Sequence, residues 1–534
     1  MSPAGSFELI IALTGAVLGL ELLARRLRLP PAAAFLAGGT VLALLPGMPG
    51  IQLDPGLVLV LFLPPLLLAS AFLTPWREFR RGLPIILELA VGTVLFTTLV
   101  VGVVAHWVLP SLPWAACFAL GAIVSPPDAV SAKAVLKGLP LPSRLLVLLE
   151  GESLLNDATG LVLYRFAVVA ALTGTFDAGR SAMSFVEVAA GGVIIGFVFG
   201  FAAPSLLSRL PDERLSIVGT FLVAWTSYIA ADRLDVSGVL STVTCGLVMS
   251  WRQHTLATAS ARLQTRVVWE AAMFVLESLV FILIGLSLRG VLQRLGGGPE
   301  ALVFLPAVAA IVAAVVVARF AWILPAAYLE QEILPGRRRH VPHLPFGIPL
   351  VMSWAGMRGM VSIAAALALP DNFPGRDFIL ASAFAVVLVT VLVQGSTLAP
   401  LIRVVCRNVS IPHDVATLSE SEARAKIAEA QLGAIEKRSL RADGTHRYSD
   451  LIAQYSFRKR AAAGLAEAGR SVLPTHDGHF DAVLSAVAAG RHELIHLHRL
   501  GKIHDSITLA LEHELDLEEV SARVSLTGQS GRGD

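Results

Sequence analysis

Long apolar runs separated by short polar loops dominate the first three quarters of the chain. A helix needs about twenty apolar residues to cross a bilayer, and most of these runs approach or exceed that length. They lie at roughly 7–24, 32–46, 56–74, 83–109, 115–137, 152–172, 183–208, 214–232, 236–250, 266–290, 300–330, 346–369 and 378–405. Two runs are short, which is typical of tilted or half-inserted helices. The pattern predicts an all-α polytopic membrane protein with thirteen transmembrane helices.

The hydrophobic pattern changes near Ser410. Beyond that residue the chain is polar and has helical periodicity in SESEARAKIAEAQLGAIEKRSL, RYSDLIAQYSFRKRAAAGLAEAG and LALEHELDLEEVSARV. The breaks GTHRY and LPTHDGH separate these segments. We therefore expect two domains, a transmembrane domain over 1–409 and a helical domain over 410–534.

Composition supports the membrane assignment. The 534 residues are 55% hydrophobic and only 15% charged, whereas soluble proteins carry about 25% charged residues. Most Lys and Arg residues of the loops follow odd-numbered spans, for example Arg337, Arg338 and Arg339. Basic loops stay in the cytoplasm, so we expect an inner-membrane protein whose N-terminus lies outside and whose C-terminal domain is cytoplasmic. The first apolar run lacks a preceding basic region and is interpreted as a transmembrane helix, not a cleaved signal.

Cysteine usage indicates no disulfide framework and no cysteine-rich metal site. Cys117, Cys245 and Cys406 lie far apart in or beside apolar segments. We expect buried free thiols.

The motif GESLLND places acidic and amide groups at the start of an apolar helix. Glu152 and Asn156 are four residues apart, as are Ser153 and Asp157, so each pair shares a helix face. Hydroxyl and carboxylate oxygens suit a hard cation such as sodium, and a carboxylate shielded from water also favours its protonated form. Asp157 is thus a candidate to hold a proton and a cation in turn. The alternative is a capping cluster at the membrane interface, which we favour for Glu150.

The motif SPPDAV predicts a broken helix within the fifth span. Pro126 and Pro127 remove two backbone donors, which frees carbonyl groups of the preceding turn for an ion. Asp128 lies at the break, where the amide groups of the following half-helix favour an anion. A simple proline kink capped by Asp128 explains the same residues and is compatible with a function.

A third motif, GMRGM, puts Arg358 between Gly356 and Gly359 in the twelfth span. A buried arginine needs a partner, and we expect Glu152 first and Asp128 second. If spans 1–6 and 8–13 form two inverted repeats, the fifth and twelfth spans correspond. Interrupted helices at matching places in two halves indicate a transporter's binding site.

These motifs together resemble the sodium/proton exchangers of the cation–proton antiporter-1 family. The resemblance runs from about residue 7 to 405. It rests on SPPDAV, EGESLLNDATGLVLY, YIAADRLDVSGVLSTVTCGLVM, ESLVFILIGL and GMRGMVSIAAALALP. It implies a homodimer of thirteen-helix subunits, each with a scaffold domain and a mobile core around crossed, unwound fifth and twelfth helices. We also expect no cofactor and no nucleic-acid partner.

Carried over to this sequence, the resemblance makes Asp157 the carboxylate that binds sodium and protons in turn. Asn156, Ser153, Asp128 and the carbonyl of Pro127 would complete the ion site.

Glu152 and Arg358 would form a structural ion pair. The chain departs from the family pattern at Ala69, where many members have glutamate, and at Pro127, where threonine is frequent.

The pair Asn156–Asp157 bears on stoichiometry, because related electrogenic exchangers carry two adjacent aspartates. A single carboxylate that loses one proton per sodium predicts electroneutral exchange by alternating access. Potassium or lithium in place of sodium remains an alternative. Glu277, in a later span, is either a lining residue or a helix-interface partner.

The C-terminal domain contains a motif that is typical of another class of protein, the zinc proteases. His492, Glu493 and His496 form an HExxH pattern, which in a zinc protease supplies two metal ligands and a general base. No third ligand is specified, and most of the thirteen histidines lie beyond residue 410, so we disfavour this alternative. The histidine-rich domain either senses pH or is a solvated regulatory domain that stabilises the dimer.

Overall fold

The structure is a computed structural model of the chain. It describes residues 3–27, 29–44, 55–128, 136, 143–174, 177–256, 259–294, 304–333, 347–405, 420–440, 446–468, 474–500, 511 and 514–523. Over these ranges the secondary structure is helical, and the only β-type pairing is an isolated bridge between Leu440 and His446. The prediction of an all-α protein is confirmed.

The chain folds as two compact units, Met1–Val409 and Ser410–Asp534. The helices of the first unit are α1 (Pro3–Leu27), α2 (Pro31–Leu44), α3 (Pro55–Leu73), α4 (Trp76–Leu87), α5 (Val94–Val108), α6 (Trp114–Val124), α7 (Ser143–Thr173), α8 (Ala178–Leu207), α9 (Glu213–Arg233), α10 (Gly238–Leu256), α11 (Ala259–Arg294), α12 (Leu305–Ile333), α13 (Gly347–Trp354), α14 (Met360–Leu367), α15 (Arg376–Val389) and α16 (Gly395–Val405). Two π-helical segments, Glu88–Thr93 and Thr390–Gln394, connect α4 to α5 and α15 to α16.

The second unit contains α17 (Glu420–Ser439), α18 (Ser449–Ala468) and α19 (Pro474–Arg499), and residues 514–523 are also helical. Its cytoplasmic position and its regulatory role stay predictions.

Among the described residues of the first unit, seven helical stretches are long and apolar enough to cross a membrane. They are Trp76–Val108, Leu145–Thr173, Gly179–Leu207, Glu213–Arg233, Gln264–Val291, Leu305–Tyr328 and Arg376–Val405. Three shorter apolar helices accompany them, at Pro31–Leu44, Leu59–Leu73 and Trp114–Val124. A helix suits this setting because it satisfies its backbone hydrogen bonds internally. The number thirteen and the inverted repeat stay predictions.

The helices of the first unit form two bundles. Bundle A consists of α1, α2, α3, α8, α9, α10 and α11, which pack mainly against one another, and bundle B consists of α4 to α7 and α12 to α16. Helix α7, which carries the GESLLND motif, belongs to bundle B. The bundles meet, among other places, where α3 packs on α14, where α10 packs on α7 and where α11 packs on α14 and α15.

Glycines allow close helix packing within bundle A. A methyl group at Gly39 of α2 would clash with the carbonyl of Ile282, and one at Gly285 of α11 would lie 2.6 Å from the carbonyl oxygen of Leu36. The two backbones therefore touch, as small residues permit in membrane helices.

Helical structure breaks at both predicted places. Helix α6 ends at Val124, and residues 125–128, which include Pro126 and Pro127 with no backbone N–H to donate, are not helical. In the second case, α13 ends at Trp354 and α14 begins at Met360, with residues 355–359 not helical.

Candidate functional site

The two interruptions meet inside bundle B. The backbone N–H of Asp128 donates to the carbonyl of Met357 at 2.6 Å. Glycine is needed beside this contact, because a methyl group at Gly359 would lie 2.6 Å from Cγ of Asp128. The Pro-Pro break of one span is thus held directly against the Gly-rich break of the other.

Arg358 joins the two breaks without a carboxylate partner in the described contacts. Its Nε donates to the carbonyl of Val124 at 2.9 Å and its Nη2 to that of Ser125 at 3.4 Å. Its Nη1 donates to the carbonyl of Gly356. These carbonyls lie at or just beyond the C-terminal ends of α6 and α13, where helices leave acceptors unpaired and carry partial negative charge. The fully buried guanidinium is therefore stabilised by two helix ends.

The sequence-based pairing of Glu152 with Arg358 is wrong. The carboxylate of Glu152 accepts two hydrogen bonds from Arg319 of α12, at 2.6 and 2.9 Å. Both side chains are 1 to 2% exposed, and Arg319 also donates to the carbonyl of Met352 at 3.1 and 3.2 Å. The guanidinium of Arg319 makes a bidentate pair with the carboxylate, whereas that of Arg358 donates its hydrogen bonds to backbone carbonyls. Asp128 was the second partner expected for Arg358, and the described contacts of the Arg358 guanidinium do not include it.

Gly356 makes room for both arginines. A Cβ atom at this position would clash with the side chain of Arg319 and lie 2.9 Å from Nη1 of Arg358. Arg319 itself was missed by the sequence reasoning. The available signal was an arginine alone in the apolar run AVVVARFAWIL, which costs too much in a membrane to be without a function or a partner.

Asn156 and Asp157 lie on α7 next to the Pro-Pro break. The amide Nδ2 of Asn156 donates to the carbonyl of Pro127 at 3.0 Å. Its Oδ1 is buried and has no hydrogen-bond partner among the described residues. Asp157 is 8% exposed, and the carboxylate of Asp128 lies near enough to act on it electrostatically. The structure thus brings together Asn156, Asp157, Pro127 and Asp128.

Helix α7 approaches the break closely at one point. A methyl group at Gly160 would clash with the ring of Pro126. Ser153 lies one turn before Asp157 and is partly exposed, so it follows the same face of α7 as predicted.

Ala69 packs among apolar side chains. It is 1% exposed and belongs to an apolar cluster of bundle A with Leu68, Cys245 and Trp269. The side chains around Ala69 are apolar, which suits alanine in place of a glutamate. Ala69 therefore contributes to the packing of this cluster.

The remaining residues singled out in the sequence of the first unit are two acids and the cysteines. Glu150 accepts a hydrogen bond from Thr74 Oγ1 at 3.3 Å, and Glu277 is partly buried on α11. Cys117 and Cys245 are buried free thiols, as expected, whereas Cys406 lies outside the described residues.

The HExxH residues lie on α19. His492, Glu493 and His496 are exposed on that helix. Within the described ranges, no group of three or more His, Cys, Asp or Glu residues is arranged to hold a metal ion.

Apolar spanning helices around two interrupted helices, with a buried carboxylate at the interruptions, define a membrane transporter of small ions. A family model described as "Sodium/hydrogen exchanger, transmembrane" matches residues 9–404. The chain belongs to the sodium/hydrogen exchanger family.

Curated relatives agree with this membership. An uncharacterised Na(+)/H(+) exchanger of Mycobacterium bovis is 31% identical over 96% of this chain and 95% of its own. A sodium, potassium, lithium and rubidium/H(+) antiporter of Bacillus pumilus is 33% identical over 68% of this chain and 56% of its own.

A solved structure shares the fold. The sodium proton antiporter MjNhaP1 of Methanocaldococcus jannaschii superposes with a TM-score of 0.60, at 18% identity, over 77% of this chain and 100% of that chain.

Proposed function

We propose that this exchanger moves one sodium ion against one proton, with Asp157 carrying each in turn. One observation carries the proposal: the buried Asp157 and Asn156 both lie beside the Pro-Pro break, and the amide oxygen of Asn156 lacks a hydrogen-bond partner among the described residues. An acceptor left in this way is costly unless a cation or a water binds to it. A carboxylate, an amide oxygen and nearby carbonyls form an oxygen-rich set that suits a hard cation.

The exchange follows from competition at one carboxylate. When sodium enters, it displaces the proton of Asp157, and the proton leaves to the side from which sodium came. Bundle B then moves against bundle A and exposes the site to the other side, where a proton displaces sodium. Asp128, Ser153 and the carbonyl of Pro127 complete the ion site in this proposal.

The setting of the exchange is also proposed. The distribution of basic loops supports an inner-membrane protein with the N-terminus outside and the C-terminal domain in the cytoplasm. The resemblance of the motifs supports a homodimer in the lipid bilayer. In a respiring bacterium the proton gradient would then drive sodium out.

The test uses everted membrane vesicles that are acidified inside and carry a pH-sensitive dye. Sodium should dequench the dye with the wild-type protein and fail to do so with Asp157→Asn, which keeps the shape of the side chain and removes the charge. Glu187→Gln is the control, since it removes an exposed acid of α8 in bundle A, and it should retain exchange. Dequenching that survives in Asp157→Asn would assign the proton to another carboxylate, with Asp128 the first candidate.

Stoichiometry has its own test. Exchange of one sodium for one proton moves no net charge, so sodium jumps on a solid-supported membrane should give no current above that of protein-free membranes. A sodium-dependent current would contradict the electroneutral proposal.

Potassium is the second candidate cation. It is favoured by the relative of Bacillus pumilus, whose name includes sodium, potassium, lithium and rubidium. Potassium and lithium additions in the same vesicles decide among these ions.

A further inference from the structure

Two polar contacts join the helix that carries Asp157 to bundle A, one on each side of that residue. Glu150 of α7 accepts from Thr74, which directly follows α3, at 3.3 Å. Arg165 of α7 pairs with Asp232 of α9, with 3.6 Å between Nη2 and Oδ1. At a rise of about 1.5 Å per residue, these contacts lie roughly 10 Å before and 12 Å after Asp157 along the helix.

Asp232, the partner of Arg165, lies at a position of α9 that is unfavourable for an acidic side chain. Asp232 lies in the last turn of α9, which ends at Arg233, and the C-terminal end of a helix repels a carboxylate. Helix stability therefore does not explain this aspartate, whereas an arginine from the other bundle offsets the repulsion.

The ion pair of Arg165 and Asp232 is weak enough to form and break reversibly. Its side chains are 59% and 52% exposed, and exposed ion pairs shift an equilibrium by only about two- to fivefold. Such a contact biases the relative position of two bundles and can still break in every transport cycle.

We propose that Arg165 and Asp232 are positioning residues for ion exchange, which hold the Asp157 helix against bundle A in one of the two end states and separate in the other. The inference rests on the proposed function, because Asp157 reaches both sides in turn only if the bundles move relative to each other. A contact of 3.6 Å does not survive a movement of several ångströms.

The first experiment links the two positions covalently. Arg165→Cys and Asp232→Cys are combined in the full chain after the native cysteines Cys117, Cys245 and Cys406 have been replaced. A short bifunctional thiosulfonate joins them in reconstituted vesicles, because a direct disulfide needs a closer approach of the two backbones than a long arginine side chain implies.

Cross-linking should abolish sodium-driven proton movement, and a reductant should restore it. Each single-cysteine protein, treated in the same way, should keep its activity. Exchange at the full rate by the cross-linked protein would overturn this inference and leave the proposed function intact. No exchange by the wild-type protein would overturn the proposed function and this inference with it.

The second experiment tests the charges. Arg165→Gln and Asp232→Asn should each change the apparent KM for sodium by about two- to fivefold in the same direction, and the exchange Arg165→Asp with Asp232→Arg should move it back toward the wild-type value. The matched control is the pair of Arg266 and Glu270, at 3.0 Å and with side chains 70% and 56% exposed, because both residues lie on α11 within bundle A. Arg266→Gln and Glu270→Gln should leave KM unchanged. Equal shifts in the control pair, or a swap no better than the single variants, would overturn the inference.

Discussion

The side-chain amide of Asn156 donates to the carbonyl of Pro127 at 3.0 Å, and this bond leaves the amide oxygen as the end available to the proposed cation site. With the Nδ2 group engaged, Oδ1 lies buried with no partner among the described residues. The bond also links α7 to the Pro-Pro break, so one residue both orients an oxygen and joins two elements of bundle B.

Replacing Asn156 with alanine should therefore harm both stability and affinity. The carbonyl of Pro127 loses its buried donor, which costs about 1–3 kcal/mol of the free energy of unfolding, and the apparent KM for sodium should rise. Thermal unfolding of the purified protein and vesicle exchange measure the two effects. Thr159→Val is the control, because the Thr159 hydroxyl donates only to Leu155 within the same helix, at 3.2 Å. Equal losses in the two variants would contradict the role given to Asn156.

The Glu152–Arg319 pair predicts that a second substitution, far away in the sequence, restores stability lost by the first. Glu152→Met alone leaves the buried guanidinium of Arg319 without its carboxylate and should destabilise the protein by about 3–5 kcal/mol. Combining Glu152→Met with Arg319→Met removes both charges and should recover much of the lost stability. The yield of folded protein in detergent and its unfolding temperature measure this recovery. Combining Glu152→Met with Arg358→Met should give no recovery, because Arg358 bonds to helix-end carbonyls. Recovery with Arg358→Met instead would favour the pairing first expected from the sequence.

Gly359 should tolerate no side chain. A methyl group there would lie 2.6 Å from Cγ and 2.7 Å from Cβ of Asp128, so Gly359→Ala must displace Asp128 or the break itself. We expect a cost of about 1–3 kcal/mol and a loss of exchange of about tenfold or more. Gly19→Ala is the control, since a methyl group at Gly19 meets nothing within 4 Å. Unchanged exchange by Gly359→Ala would show that the close contact with Asp128 is not required.

The interruptions were indicated by local signals, although such signals do not decide the outcome alone. Pro126 and Pro127 lack backbone donors and follow the end of α6, whereas α3 continues through the adjacent Pro64 and Pro65. The GMRGM motif places an arginine between glycines in a span with no other charge. The placement of Asn156 beside Asp157 was equally local, since the two are neighbours on one helix.

The partner of each buried arginine was not predictable in the same way. Glu152 and Arg319 are 167 residues apart, and only the packing of α7 against other elements of bundle B brings them together. A sequence pattern records side-chain charges and omits the partial charges of helix ends. Arg358 was therefore assigned a carboxylate, although the carbonyls of Val124, Ser125 and Gly356 satisfy it.

The second unit offers a prediction that is independent of transport. Arg491 of α19 contacts Asp516 and Glu519 of the helix at 514–523, each at 2.6 Å. Hydrogen bonds from Arg491 first, and then from Arg523, lower the pKa of Glu519 below its usual value of 4.5. Because the folded pKa is lower than the unfolded one, the ionised carboxylate stabilises this contact above about pH 4.5, and the contribution is lost as pH falls through the folded value.

Hydrogen exchange of the amides at 514–523 should therefore accelerate below about pH 4.5, after correction for the intrinsic pH dependence of exchange. Glu519→Gln cannot ionise, so it should exchange faster at neutral pH and show less of the acid-dependent change. Glu493→Gln on the exposed face of α19 is the control and should behave as wild type. An acid-dependent change of the same size in Glu519→Gln would assign it to another group, of which Asp516 is the nearest candidate because it shares Arg491.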